Sequence, residues 1–247
     1  GGQFSWNMVF FAFAALSFLL VLWILFLLPT PKVPLSKDPI NLKTYQKKFG
    51  LIFKNLNTSL ALLTYFLMFA GVFIFAGAYP TWLNSVFAQS GLNFYHIALL
   101  FTIAGVGSFI GSTSSGYFLS STSKKLWWVG MINLALLVFI VLMPILTHAF
   151  WLQFPLYFGM MLLGGFRFPV VSNVIVHLVK VTERGSIGAA ISIMVQAASA
   201  IGAFLSGVLL HFDSSFFLNV LGVAAFFILA SFFLLFKVKE EPHLDYQ

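Results

Sequence analysis

The sequence predicts an all-α protein, a polytopic bundle of helices that span a membrane. Of its 247 residues, 60% are hydrophobic and only 8% are charged, whereas soluble domains carry about 25% charged residues. The apolar residues continue for about twenty positions at a time, which is the length that a membrane helix needs. The short alternating strands of a membrane barrel would give a different pattern.

Seven apolar runs are long enough to cross a bilayer, which takes about 18 residues or more. They lie near residues 6–28, 58–83, 95–119, 126–147, 150–178, 186–210 and 215–236. The first run is interpreted as a true span and not as a signal peptide, because it is long and no lysine or arginine precedes it.

Lysine and arginine are concentrated in every second loop between these spans. The positive-inside rule therefore predicts a multi-pass protein of the inner (plasma) membrane, with Gly1 outside the cytoplasm and Gln247 inside it. This distribution of the net charge of +7 indicates membrane topology and argues against a nucleic-acid partner. The basic loops carry Lys32, Lys37, Lys43, Lys47, Lys48 and Lys54, then Lys124 and Lys125, then Lys180 and Arg184, then Lys237 and Lys239.

The first basic loop is the only sizeable linker. Its prolines predict an extended segment over residues 30–39. Apolar residues then recur at helical spacing over residues 42–53, with lysines between them, which predicts an amphipathic helix on the inner leaflet. Such a helix could anchor the chain to the lipid bilayer or have a dedicated lipid-binding role.

Small residues indicate where helices pack closely. Gly107 and Gly111 lie four apart in the third span, a spacing that lets two backbones approach. The sixth span carries a weakly polar stripe, which favours either helix packing or the lining of a cavity. In the second span, Tyr65 and Met68 share a face, and Tyr79 is a candidate for the outer aromatic belt. The stripe comprises Ser192, Gln196, Ser199, Ala203 and Ser206.

Arg167 lies in a region with no Asp or Glu from Leu126 to Thr182. An arginine at the centre of a membrane helix costs about 2.5 to 3.5 kcal/mol on insertion scales, and such residues are functional by default. Helix carbonyls, water or an anionic part of a substrate could offset its charge. The alternative is a structural role, in which Arg167 braces the helix beside Pro169.

His177 lies four residues after Asn173 on the same predicted helix face. A histidine can carry a proton near neutral pH. Because His177 is close to the inner end of its span, a solvated or interfacial side chain is the alternative interpretation.

Residues 75–101, 94–128 and 164–210 resemble helices seven to eleven of the major facilitator superfamily, and the resemblance extends over nearly all of the chain. The loop GYFLSSTSKK, residues 116–125, resembles the signature Gly-x-x-x-Asp-Arg-x-Gly-Arg-Arg, because it keeps Gly116, Lys124 and Lys125. It departs from the signature at Ser120 and Ser121, where the family has Asp and Arg. Residues 164–210, with Pro169, a short ERG turn and a small-residue helix that contains Gln196, are similar to helices ten and eleven of the drug:proton antiporter branch, particularly bicyclomycin-resistance-type efflux proteins.

The resemblance implies that the chain is the C-terminal portion of a twelve-helix transporter. Residues 1–29 would be helix six of a truncated N-terminal half, residues 30–56 the basic cytoplasmic central loop, and residues 57–247 the six-helix C-terminal bundle. Helices one to five would be missing partners in the same fold. The family's helices nine and twelve are peripheral to its midplane cavity, so Asn133 and Asn219 are not expected to contact substrate.

The function implied by the resemblance is proton-coupled efflux of amphipathic small molecules by alternating access. Arg167 would orient polar substrate or set the potential of the cavity, with its counterion in the missing half. Asn173, Gln196 and Ser199 would offer hydrogen bonds, while Tyr65 and Met68 would provide adaptable apolar contacts. Two alternatives stay open: an organic-anion or metabolite uniporter or symporter, and a non-transporting membrane scaffold or gene remnant.

Enzymatic motifs do not support a catalytic interpretation, and no cofactor is predicted. GVGSFIG, residues 105–111, only superficially resembles a dinucleotide fingerprint, because it lies inside a span with no preceding strand. The sequence has no Walker loop and no His-Glu-x-x-His pattern. It also has no cysteine, which excludes thiolate metal sites and a cysteine nucleophile.

Overall fold

A computed structural model describes residues 6–27, 49–50, 52–88 and 94–240. Over these residues the secondary structure is helical, with no strand, which confirms the predicted fold class. The helices are α1 (Trp6–Leu27), α2 (Leu56–Phe87), α3 (Phe94–Ser121), α4 (Lys125–Ile145), α5 (Gln153–His177), α6 (Arg184–Phe212) and α7 (Phe217–Phe236).

Six helices of the described part, α2 to α7, are long and apolar enough to cross a membrane. They coincide with predicted spans to within a few residues at each end. In α1, the apolar stretch is described over Ala14–Leu27. The chain divides into two compact units, Gly1–Ile40 with α1 and Asn41–Gln247 with α2 to α7.

Local side chains define several helix ends. At the start of α2, the Asn55 side chain accepts hydrogen bonds from the backbone amides of Asn57 (3.0 Å) and Thr58 (3.2 Å), which satisfies two amide groups that a helix leaves unpaired. Before α7, Phe216 has a left-handed backbone with φ 69°. The Asp213 carboxylate steadies this turn by accepting from the backbone amides of Ser215 (2.9 Å) and Leu218 (3.3 Å).

Close helix crossings hold the bundle together. Helix α3 packs chiefly on α5, α2 packs on α6 and α7, and α4 contacts α5 and α7. A Cβ atom at Gly107 would lie 2.8 Å from the Phe158 backbone oxygen, and one at Gly111 would overlap the Leu162 carbonyl. The predicted close packing of the third span is therefore confirmed, because only glycine lets these backbones approach so closely.

One end of the bundle has an aromatic core in which Tyr79, Trp82 and Phe216 are buried. The Tyr79 hydroxyl donates to Oε1 of Gln153 at 3.0 Å. Nε2 of Gln153 donates in turn to the backbone oxygens of Met143 (3.1 Å) and Leu146 (3.0 Å). Because Tyr79 has no exposed surface, it is a core residue, and the aromatic-belt interpretation of Tyr79 is wrong.

The opposite end, which carries Asn57, Lys125, His177 and Lys239, is called the lysine end. There the Asn57 side chain donates to the Lys239 backbone oxygen (2.9 Å) and accepts from its backbone amide (2.8 Å). Glu240 accepts a hydrogen bond from the Leu126 backbone amide at the start of α4. The chain that follows α7 is therefore fastened to the first turns of two other helices.

The predicted amphipathic helix over residues 42–53 lies mostly outside the described residues. Its described part, residues 49–50 and 52–53, is helical. Ile52 is buried in the aliphatic core near the lysine end, whereas Phe53 is half exposed.

Candidate functional site

Arg167 lies inside the helix bundle. It belongs to α5, the helix that contacts both α3 and α4, and none of its surface is exposed. The described residues of α2 to α7 contain no Asp or Glu, so no carboxylate within these helices neutralises the guanidinium. A buried positive charge in a membrane span needs compensation from its immediate surroundings.

Three groups surround the Arg167 guanidinium. One terminal nitrogen donates a hydrogen bond to Oδ1 of Asn133 on α4. The ring of Phe227 on α7 lies 4.2 Å from the guanidinium carbon, and the ring of Phe168 lies 4.9 Å from it, at distances that give cation–π attraction. Nε and the other terminal nitrogen are buried and form no hydrogen bond with the described residues.

A cavity of about 60 Å³ borders Arg167. It is enclosed by α2, α3, α4 and α5, and its wall is mostly apolar apart from Ser108 and Arg167 itself. The volume suits water or a small ion, because sites for drug-sized ligands measure about 300 to 1,000 Å³. The lining residues are Val72, Ser108, Leu136, Met160, Met161, Gly164, Gly165, Arg167 and Phe168.

Tyr65 and Met68 of α2 lie in the buried core. Tyr65 is 6% exposed and Met68 is 0% exposed. The Tyr65 ring lies 6.0 Å from the ring of Phe168, and the Phe168 ring also lies beside the Arg167 guanidinium. These side chains support the Arg167 surroundings from the α2 side.

Gln196 and Ser199 of α6 lie apart from that interior. Gln196 is exposed on the bundle surface, and Ser199 is half-buried with its hydroxyl donating to the Gln196 backbone oxygen at 2.8 Å. The predicted polar stripe of α6 does not form one surface. Ser192 and Ala203 are exposed, whereas Ser206 is buried against Gly77 of α2. Ser206 is therefore a packing residue, and the exposed part of the stripe is open to other roles.

Asn173 borders a polar pocket of about 200 Å³ at the lysine end. His177 lines the same pocket, and its Nδ1 lies 2.7 Å from the Asn173 backbone oxygen. Since a carbonyl oxygen can only accept, Nδ1 of His177 is the donor in this hydrogen bond. The pocket is lined by Thr122, Ser123, Lys125, Asn173, Val174, His177, Leu178 and Glu240.

The three loop-motif residues lie between α3 and α4. Lys125 lines the lysine-end pocket. Lys124 precedes α4 and is exposed, and Gly116 is exposed in the last turns of α3 with open space around it. Of these three residues, Lys125 shares this pocket with Asn173, another predicted site residue.

Sequence reasoning missed two buried amide side chains, Asn133 of α4 and Gln153 of α5. It set Asn133 aside as peripheral, yet Asn133 is fully buried and contacts Arg167. It also did not single out Gln153, which is fully buried and forms three side-chain hydrogen bonds. The available signal was chemical, because a lone amide side chain in an apolar span must find a polar partner.

No family model matches the chain. A protein of Bacillus subtilis (strain 168) described as the uncharacterized MFS-type transporter YceJ is 27% identical over 214 residues. The matched region is 84% of this chain and 51% of the relative, so the chain spans about half the length of that relative. The chain is therefore similar to half of a protein that is described as a transporter of the major facilitator superfamily (MFS) type.

Proposed function

We propose that the chain is the C-terminal portion of a secondary active transporter that exports amphipathic small molecules in exchange for protons. In this proposal residues 1–29 are the last helix of the N-terminal half, residues 30–56 are the central loop, and residues 57–247 are the C-terminal half. The lysine end faces the cytoplasm of a cell whose inner membrane holds the protein. The chain matches about half the length of an MFS-type transporter, which is the coverage expected of a chain that contains one half of such a protein.

The exposed polar face of α6 is the observation that carries the proposal. Helix α6 is long and apolar enough to cross a membrane, but Ser192 and Gln196 point away from the bundle and are exposed. An amide group in hydrocarbon has no partner for its donors and acceptors. We therefore assign this face to a cavity between two halves of a transporter, where water and substrate satisfy it.

The candidate residues take different roles in this mechanism. Gln196 and Ser199 offer hydrogen bonds to substrate from the α6 face, and Asn173 does so near the cytoplasmic end. Tyr65 and Met68 are buried, so they act by supporting Phe168 and the wall of the bundle. The guanidinium of Arg167 helps to set the electrostatic potential inside the bundle.

The proton carrier is assigned to a carboxylate outside the described residues. Asp and Glu are absent from the described residues of α2 to α7, and drug:proton exchange needs a group that gains and loses a proton near neutral pH. His177 is the alternative carrier within the chain. A His177→Gln variant that still couples to protons would eliminate it.

Transport in inverted membrane vesicles tests the proposal. The complete reading frame that encodes this chain is expressed, and uptake of ethidium, a cationic amphipathic dye, is followed with and without a pH gradient. We expect uptake that collapses with nigericin, and an uptake rate several-fold lower in Gln196→Ala. The matched control is Val138→Ala, which shortens an exposed apolar side chain of α4 and should transport normally.

Two results would contradict the proposal. Equal uptake in vesicles with and without the protein would show that the protein does not export this class of substrate. Gradient-dependent uptake that is unchanged in Gln196→Ala would show that the α6 face does not line the substrate path.

Transport of organic anions is a second candidate, favoured by the buried cation Arg167. A uniporter or symporter of this kind would use Arg167 as its anion contact. Uptake of anionic but not neutral substrates would then be lost in Arg167→Ala. If neither class of substrate moves through the complete protein, a non-transporting membrane scaffold is the function that remains.

A further inference from the structure

The charge of Arg167 is incompletely balanced by its protein partners. Asn133 contributes a neutral amide oxygen, and Phe168 and Phe227 contribute aromatic faces. These groups attract a cation but carry no net negative charge. Arginine retains its proton in proteins, so the interior of this bundle keeps a full positive charge unless an anion accompanies it.

The arginine also has unused hydrogen-bond donors. Nε and one terminal nitrogen are buried and have no hydrogen-bond partner among the described residues. Together they carry three of the five N–H groups of a guanidinium. Burying such donors without a partner costs roughly 1 to 3 kcal/mol for each group. The side chain that carries them forms part of the wall of the 60 Å³ cavity.

The size of the cavity limits what can occupy it. A cavity of about 60 Å³ holds a few water-sized particles, since one water requires about 10 to 15 Å³ on this measure. It is well below the range of about 300 to 1,000 Å³ found for drug-sized ligands. An occupant must therefore be water or an ion of very few atoms.

The chemistry of the wall favours a weakly hydrated anion. Val72 and Leu136 are apolar, and the thioethers of Met160 and Met161 are soft and polarizable. A small ion that holds its water tightly would lose that water without replacement here. A halide such as chloride loses less hydration free energy on entering the cavity, and its negative charge is attracted to the weakly hydrated guanidinium.

We propose that the cavity beside Arg167 is a halide site, which holds a single chloride ion in the cell. The unpartnered nitrogens of Arg167 bind the ion, and Ser108 adds a polar group on the α3 side. The ion is a resident of the bundle, so the site does not depend on which substrate the transporter moves.

Thermal unfolding of the complete protein in detergent tests the site. The protein is purified in sodium gluconate and titrated with sodium chloride, bromide or iodide at constant ionic strength. We expect the unfolding temperature to rise by a few degrees and to saturate, because an ion that binds only the folded state stabilises it by RT ln(1 + [L]/Kd). Equal unfolding temperatures in all four salts would overturn the proposal.

Variants assign the effect to the cavity. Arg167→Gln should abolish the halide-dependent rise, and Ser108→Ala should weaken halide binding several-fold. Lys54→Gln removes an exposed cation outside the cavity and should respond as the unmodified protein does. A full halide response in folded Arg167→Gln would overturn the site.

Bromide anomalous scattering keeps the test decisive if Arg167→Gln does not fold. Crystals of the unmodified protein grown in bromide should show one anomalous peak beside Arg167, between α3 and α5. Ordered water at that position, or a carboxylate from another segment of the complete protein, would overturn the proposal.

Discussion

Two polar side chains of α5, Gln153 and Arg167, are both completely buried, yet their surroundings differ. Both polar atoms of the Gln153 side chain have protein partners. The oxygen accepts from Tyr79, and the nitrogen donates to two backbone carbonyls at the end of α4. Arg167 has one hydrogen bond, two aromatic contacts and two unpartnered nitrogens beside a cavity. A fully satisfied buried group stabilises the fold, whereas an unsatisfied one indicates a ligand or a function.

Replacing Gln153 with leucine should give the largest loss of stability. The substitution leaves the Tyr79 hydroxyl and the carbonyls of Met143 and Leu146 without partners. At roughly 0.6 to 1.7 kcal/mol for each of the three interhelical bonds in a membrane protein, we expect a loss of about 2 to 5 kcal/mol. Denaturant unfolding in detergent measures it, with Gln196→Leu as the control because Gln196 is exposed. Comparable losses in the two variants would contradict the structural role of Gln153.

A methyl group at Gly165 should separate α3 from α5 beside the Arg167 cavity. The new Cβ would overlap the Ser108 backbone carbonyl, which cannot move without shifting α3. Overpacking of this kind costs about 1 to 3 kcal/mol. Gly105→Ala on α3 is the matched control, since a Cβ there meets nothing within 4 Å and Gly105 does not line the cavity. The halide response should weaken in Gly165→Ala and persist in Gly105→Ala.

The contact between Arg167 and Asn133 should appear as an energetic coupling. Asn133→Ala removes the one hydrogen bond that the guanidinium forms with the described residues, so it should destabilise the protein by about 1 kcal/mol. In an Arg167→Gln background the same change should cost markedly less. A double-mutant cycle of unfolding free energies measures the difference. Additive effects would show that the two side chains do not stabilise each other.

Tyr79→Phe should have a smaller effect on stability. It removes the hydroxyl that donates to Gln153 and keeps the aromatic ring in its stack with Phe75 and Trp82. We expect a loss of about 0.6 kcal/mol, the average for an interhelical hydrogen bond in a membrane protein. A loss as large as that of Gln153→Leu would mean that the hydroxyl, and not the carbonyl contacts, provides the stabilisation.

Asp213 lies outside the membrane spans, and its replacement should have the smallest effect on stability. Hydrogen bonds from the Ser215 hydroxyl first, and then from backbone amides, lower the pKa of this carboxyl below its usual range. Because the pKa of Asp213 is lower in the folded state, the ionised carboxylate stabilises the fold at pH values above the ordinary carboxyl pKa of about 3.9. This stabilisation is lost as the pH falls through the lowered pKa. Unfolding temperatures of Asp213→Asn and the unmodified protein should therefore differ slightly at pH 6 and converge in strong acid. A difference that persists in strong acid would contradict this.

The sequence alone predicted the helices and the tight crossing of α3. Span positions depend on the length of apolar runs, which is a local property of the chain. The glycine spacing of α3 likewise predicts a close approach before the partner helix is known, and Gly107 and Gly111 do lie against the α5 backbone. The buried arginine was also identifiable, because its cost in a membrane depends on its own charge.

Only the tertiary structure decided which side chains meet. Helices that are apolar on all sides do not reveal from periodicity which face contacts which neighbour, so Asn133 could not be paired with Arg167, nor Gln153 with Tyr79. For the same reason the α6 stripe was predicted as one surface, although α2 buries Ser206 and leaves Gln196 exposed. The amino-acid sequence determined that seven apolar runs form helices and that a charge lies among them, because these depend on local composition. The tertiary structure decided what surrounds that charge, because interhelical contacts depend on how the helices rotate and cross.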